Sequence, residues 1–208
     1  MIELTDLQIR AVAGRLAQSS YSATPDFDKD GIQIIYRVVA GYLYIVFRGS
    51  DEKADWWTNI CFWAKKYKGN SFHGGYIKSL APHVEEIIHI AESRNPDGLP
   101  IIITGHSAGG AWALGLAVVS ELTPDQIVTF GSPRAIKRAT ESTQAFLNRR
   151  LTNYKNAYDF VTKLPLLWRD FGKQVVTWFR VEGGIEHQME LYNERFFAGV
   201  LDDLELDI

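Results

Sequence analysis

Residues 102–119 read IITGHSAGGAWALGLAVV. By apolar content the run approaches a membrane-spanning helix, which needs about 20 consecutive apolar residues. A histidine, a serine and three glycines near its front argue otherwise. Ile101 to Ile103 are β-branched, and the segment 105–110 is too rich in glycine for a uniform helix. A strand, a tight turn and a buried helix account for the pattern. Gly105-His106-Ser107-Ala108-Gly109 then spells G-x-S-x-G between strand and helix, the setting of a nucleophile elbow. The sharp turn brings neighbouring backbone close to the serine, where a β-carbon would collide. Ser107 would project its hydroxyl at the carboxyl edge of a sheet. Ala108 would open the helix, its N–H placed near the positive end of the helix dipole to meet a developing oxyanion. The same glycines also serve to turn any strand into a packed helix, so the chemistry has to be decided by other stretches.

Working outward, Thr5 and Gln8 form a capping box ahead of an amphipathic run to about Ser20, which predicts a first helix. GIQIIYRVVAGYLYIVFRGS (31–50) holds two β-rich runs around Ala40-Gly41, an antiparallel hairpin. A helix is expected from about Gly75 to Ser93, then a turn at Asn95-Pro96-Asp97-Gly98 and the strand LPIIITG. Beyond the elbow helix, DQIVTFG reads as a strand and SPR as a loop; QVVTWFRV is a late β-rich run. Alternating strands and helices imply a mostly parallel central sheet covered on both faces. No repeat, low-complexity tract or linker interrupts the sequence, so residues 1–208 read as a single α/β domain.

The 208 residues are 46% apolar and 23% charged, enough for a sizeable core. A net charge of −3 leaves no general footprint for nucleic acid; a small neutral or apolar substrate suits it better. MIELTDLQIRAVAGRL lacks the basic and apolar regions of a cleaved signal, so a cytoplasmic protein, or one released by lysis, is expected. Cys61 stands alone, so no intramolecular disulfide is expected. His83 and His89 lack metal-ligand spacing and are expected at the surface. His73 is expected at a helix start and His106 in the core. Neither metal nor cofactor is expected, and no transmembrane segment.

Four further stretches resemble, in order, the class 3 lipases, the fungal-lipase-like branch of the α/β-hydrolases. VFRGSDEKADWWTN is similar to that family's Phe-Arg-Gly-Ser/Thr segment with its following Asp/Asn-Trp. HGGY (73–76) resembles its His-x-Gly-Phe, TFGSPR its strand and loop after the elbow, and DFVTKLP (159–165) its Asp-Pro-Val-x-x-Leu-Pro. TGHSAGGA matches the elbow itself, with Ala108 where Leu is frequent, and EHQMELY (186–192) extends the match. Phe160 stands where the family has Pro, and the 28-residue interval from 159 to 187 is shorter than in the fungal enzymes.

The resemblance implies an α/β-hydrolase fold with an N-terminal antiparallel hairpin and a short lid. It implies Ser107 as nucleophile, His187 as general base and acid, and Asp159 as the carboxylate orienting His187, with backbone N–H groups of Ser50 and Ala108 forming the oxyanion hole. The aromatic-rich interval between Ser50 and His73, with Trp56, Trp57 and Trp63, occupies the lid position; an ordinary packed loop is the competing reading. The expected activity is carboxylic ester hydrolysis, most simply by a lipase making transient contact with a lipid interface. A phospholipase A1 or acyltransferase would use the same residues, and a non-catalytic lipid-binding module is the alternative from another class.

Overall fold

The computed structural model describes residues 3–50, 63–180, 187–204 and 206. Helix α1 (Asp6–Ser19) begins at the capping box: Thr5 Oγ1 accepts from the Gln8 N–H while the Gln8 side chain accepts from the Thr5 N–H at 2.9 Å. Strands β1 (Phe27–Lys29), β2 (Ile32–Val39) and β3 (Tyr42–Phe47) follow as an antiparallel meander. Ala40 and Gly41 turn β2 into β3 with φ of 48° and 82°, the two positive values that match the twist of a tight hairpin.

Next come β4 (Ala64–Tyr67), β5 (Asn70–His73), α2 (Gly74–Leu80), a 3-10 turn (Ala81–His83) and α3 (Val84–Ser93). The single helix expected from about Gly75 to Ser93 is therefore broken, with Pro82 in the break, where it supplies no N–H to the helical ladder. The chain continues through β6 (Ile101–His106), α4 (Ala108–Val119), β7 (Gln126–Phe130), β8 (Ile136–Arg138), α5 (Glu141–Arg150), β9 (Leu151–Asn156), β10 (Lys173–Thr177) and α6 (Met189–Phe197).

Seven strands form the main sheet in the order β1-β2-β3-β6-β7-β9-β10, antiparallel up to β3 and parallel from β3 onward. This is the mostly parallel sheet expected from the alternation of elements, and it carries the α/β-hydrolase arrangement that the resemblance implies. Along β3, Leu43, Ile45 and Phe47 join the core under α2 to α5, while Tyr44 and Val46 join the core under α1 and α6. Because both faces are covered, the central strands are continuous apolar runs rather than alternating ones. Each fully buried Ile, Val or Phe contributes about 1.5–3 kcal/mol. Helix α4 is buried at every residue except Val118, which explains its membrane-like composition. Among the described residues no helix is long and apolar enough to cross a membrane.

A second sheet, β4-β5-β8, is antiparallel and lies at residues not read as strands from the sequence. β9 was likewise hidden: all six residues of LTNYKN are buried, four of them polar or charged.

Candidate active site

The turn from β6 into α4 sets the geometry. Ser107 has φ 54° and ψ −128°, a backbone region that costs a non-glycine residue about 1–3 kcal/mol and persists only where its surroundings enforce it. They do: the Ser107 N–H donates to the Phe130 carbonyl at 2.9 Å, and the Gly110 N–H donates to the Ser107 carbonyl at 3.0 Å. A β-carbon on Gly105 would lie 2.5 Å from the Gly109 carbonyl, and one on Gly109 would strike the carbonyl of Phe47. Ala108, fully buried, opens α4 beside the serine. A β-carbon on Gly49 would stand 2.8 Å from the His106 carbonyl and 3.2 Å from the Ser107 β-carbon. The end of β3 therefore presses against the elbow, and Ser50, partly buried, is the next residue along.

Asp159 and His187 come from different ends of the chain and meet at the same edge. Asp159 follows β9 and is almost wholly buried; His187 lies two residues before the start of α6. His187 Nδ1 lies 2.6 Å from Asp159 Oδ2. The Tyr192 hydroxyl donates to that same oxygen at 2.7 Å, while the Val161 N–H donates to Oδ1 at 2.9 Å. Burial, reinforced by the carboxylate, pushes the Tyr192 phenol far up, so it remains a donor at any physiological pH. Gly131, at φ 55°, follows Phe130, and a β-carbon there would meet His187 Cε1 at 3.0 Å and Asp159 Oδ2 at 3.1 Å. Phe130 and Gly131 thus link the elbow to the His187–Asp159 pair.

Phe160, where the resembling family carries Pro, has φ −66°, a value proline itself adopts. Gly183 and Gly184, which precede His187 in the sequence, lie outside the described residues.

His106 does more than fill the core. Its Nε2 faces the His187 backbone carbonyl at 2.8 Å, and its Nδ1 faces the Tyr21 hydroxyl at 2.6 Å. A carbonyl only accepts, so Nε2 carries the proton and Nδ1 accepts from Tyr21. Burial, then the neighbouring His187, hold His106 well below the ordinary imidazole value, consistent with this neutral tautomer. The two imidazole rings lie 4.7 Å apart. Arg48 in turn covers the Tyr21 ring at 5.6 Å. Neither Tyr21 nor Tyr192 is assigned a role by sequence reasoning; the signal available was Tyr192 standing at the end of EHQMELY.

His73 does stand at the start of α2, but its side chain caps nothing. It is buried beside Tyr76 and Trp168, and neither ring nitrogen has a hydrogen-bond partner among the described residues. His83 pairs with Asp30 at 2.8 Å and His89 is exposed. Trp63 is 48% exposed and packs over Gly74; Trp56 and Trp57 lie outside the described residues. Among the described residues no group of three or more His, Cys, Asp or Glu is placed to hold a metal.

The family model described as lipase (class 3) matches residues 44–168. Comparison with curated protein sequences found no match. Among solved structures, the chain is similar to the Rhizomucor miehei lipase propeptide complex at 22% identity, with a TM-score of 0.64 over 83% of this chain and 69% of that one. It is similar to the lipase of Rhizopus microsporus var. chinensis at 22% identity and TM-score 0.61, covering 79% and 71% of the two chains. It also resembles the Lip2 lipase of Yarrowia lipolytica at 18% identity and TM-score 0.61, covering 84% and 80%. At these identities the likeness carries the fold.

Proposed function

The chain belongs to the class 3 lipase family and is thereby an ester hydrolase of lipase type, and from that premise we propose that it cleaves carboxylic esters of lipids through a serine acyl-enzyme built on Ser107, His187 and Asp159. The observation that carries this reading is the His187–Asp159 pair at 2.6 Å set beside a strained serine elbow. With Nδ1 turned to Asp159, Nε2 is the nitrogen left for proton transfer.

In the proposed reaction His187 takes the Ser107 proton as Oγ attacks the ester carbonyl. The tetrahedral oxyanion is met by the N–H groups of Ala108 and Ser50, each such donor being worth about 3 kcal/mol in the transition state. His187 then protonates the leaving alcohol, the acyl group stays on Ser107, and a water activated by His187 releases the acid. Asp159 holds the imidazole in the required tautomer and stabilises the imidazolium, while the Tyr192 hydroxyl and the Val161 N–H fix the carboxylate.

Labelling with a fluorophosphonate tests the reading. The probe is expected to attach to Ser107 in the folded protein and to be lost in Ser107→Ala, together with hydrolysis of a p-nitrophenyl ester. Folded protein that resists the probe and does not turn over soluble esters would overturn it in favour of a lipid-binding module.

A further inference from the structure

The segment that carries Asp159 also carries an apolar ridge with no part in the triad. Leu167 is 97% exposed and Leu166 65% exposed, extreme values for leucine. They are held outward by backbone bonds. The Trp168 N–H donates to the Pro165 carbonyl at 3.1 Å, and Arg134 Nη1 donates to the carbonyls of Pro165 and Leu166 at 3.3 and 3.0 Å. Phe160, exposed, starts the same excursion next to Asp159. Trp178, 73% exposed, follows β10 and meets the Tyr158 ring edge-on at 5.9 Å.

The charges around these side chains select the partner. Residues 157–180 hold four cations, Lys163, Arg169, Lys173 and Arg180, and two carboxylates, in a chain whose net charge is −3. Both carboxylates are engaged: Asp159 by His187 and Tyr192, Asp170 by Lys155 and by Arg134 at 3.4 Å. Lys163 and Arg169 are exposed and form no ion pair among the described residues, and the Arg180 guanidinium stands over the Tyr158 ring at 4.2 Å. Apolar tips among cations that form no ion pair among the described residues oppose pairing with a second copy of the same face. They fit a surface with phosphate anions above an apolar layer.

We propose that this ridge docks the protein onto an anionic lipid surface, Leu166 and Leu167 entering the apolar layer while Lys163, Arg169 and Arg180 meet lipid phosphates. The proposal deepens the ester-hydrolase reading by stating where the substrate is met, but the docking itself rests on surface residues and needs no Ser107 chemistry. Each cation near an anionic membrane raises partitioning about fivefold at low salt, an effect that fades as salt shortens the Debye length.

Sedimentation of the full chain with vesicles of phosphatidylcholine alone, and with phosphatidylglycerol added, tests it. Stronger binding to the phosphatidylglycerol vesicles is expected, weakened by 0.5 M salt. Binding should fall about tenfold or more in Lys163→Glu/Arg169→Glu and in Leu166→Ser/Leu167→Ser. Because these side chains are exposed, folding and soluble-ester turnover should stay within twofold of wild type, and Ser107→Ala should still sediment. Equal binding to both vesicle types, or unchanged binding in both double variants, overturns the docking surface even if ester hydrolysis stands. Charge variants that change the oligomeric state instead of vesicle binding assign the ridge to a second copy and also overturn it. Vesicle binding without any esterase activity leaves docking in place and removes the catalytic reading.

Discussion

The Tyr192 hydroxyl donates at 2.7 Å to Oδ2 of Asp159, the oxygen that His187 Nδ1 also approaches at 2.6 Å. The Asn156 N–H donates to the same hydroxyl at 3.2 Å, so Tyr192 ties the end of β9 to α6 through the carboxylate. A hydrogen bond to a charged, buried group is worth about 1.5–3 kcal/mol. Tyr192→Phe is expected to lower stability by that amount and kcat by about tenfold with KM little changed, because the carboxylate loses a positioning bond and the substrate loses none. Urea denaturation and steady-state kinetics on a soluble ester check it. Unchanged kcat would mean that Val161 and the fold hold Asp159 without Tyr192.

The elbow, the β2–β3 hairpin and the first helix were legible because each is set by local chemistry. Glycine sterics define Gly105 and Gly109, two positive φ angles define Ala40-Gly41, and one capping box defines Thr5 to Gln8. β9 was not, because its polar residues are satisfied by partners far along the chain. Thr129 Oγ1 donates to Asn153 Oδ1 at 2.6 Å, Asn153 Nδ2 to the Phe171 carbonyl at 2.8 Å, and Asn156 Nδ2 to the Phe179 carbonyl at 3.0 Å. The supporting bonds of the site were invisible for the same reason: Tyr21 reaches His106 across 85 positions and Tyr192 reaches Asp159 across 33. Ser107 could be picked out by its neighbours in sequence, whereas Asp159 and His187 emerged only through the family resemblance.

His106 bonds the backbone of His187, so removing it should shift the proposed base without deleting it. A misplacement of about 1 Å costs on the order of 100-fold in rate. His106→Ala is expected to lower kcat by about 10- to 100-fold. Tyr21→Phe leaves the Nε2 bond to His187 intact and should cost only a few-fold. Kinetics on a soluble ester for both variants measure this, and a larger loss in Tyr21→Phe than in His106→Ala would contradict the order of support.

Burial lowers His73 to about 4, and with no partner for either nitrogen among the described residues the neutral ring is the one the fold accepts. In the unfolded chain the ring titrates near 6.5, so between the two values the unfolded state binds more protons. The contribution is fully present above about pH 6.5 and is lost as pH falls towards 4, amounting to about 3 kcal/mol when complete. His106, lowered by the same cause, acts in the same direction. Unfolding free energies from urea denaturation at pH 7 and pH 4.5 should therefore differ by about 2 kcal/mol less in His73→Phe than in wild type. Parallel losses in the two proteins would remove His73 as a source of the acid sensitivity.

Gly131 is the tightest test of how the elbow and the His187–Asp159 pair fit together. Its φ of 55° alone makes alanine cost about 1–2 kcal/mol. Its β-carbon would in addition stand 3.0 Å from His187 Cε1 and 3.1 Å from Asp159 Oδ2 and His187 Nδ1, closer than those atoms tolerate without moving. Gly199 separates the two effects: at φ 74° it carries the same backbone cost, but the nearest atom to an added β-carbon is 3.8 Å away. Gly199→Ala is expected to lower stability by about 1–2 kcal/mol and Gly131→Ala by at least that much. Only Gly131→Ala should also reduce kcat, by several-fold to about tenfold, and slow fluorophosphonate labelling of Ser107, because a shift of a few tenths of an ångström displaces the proposed base from the serine and leaves the serine itself in place. Equal activity in the two variants would show that the imidazole and carboxylate move as a unit without losing register on Ser107.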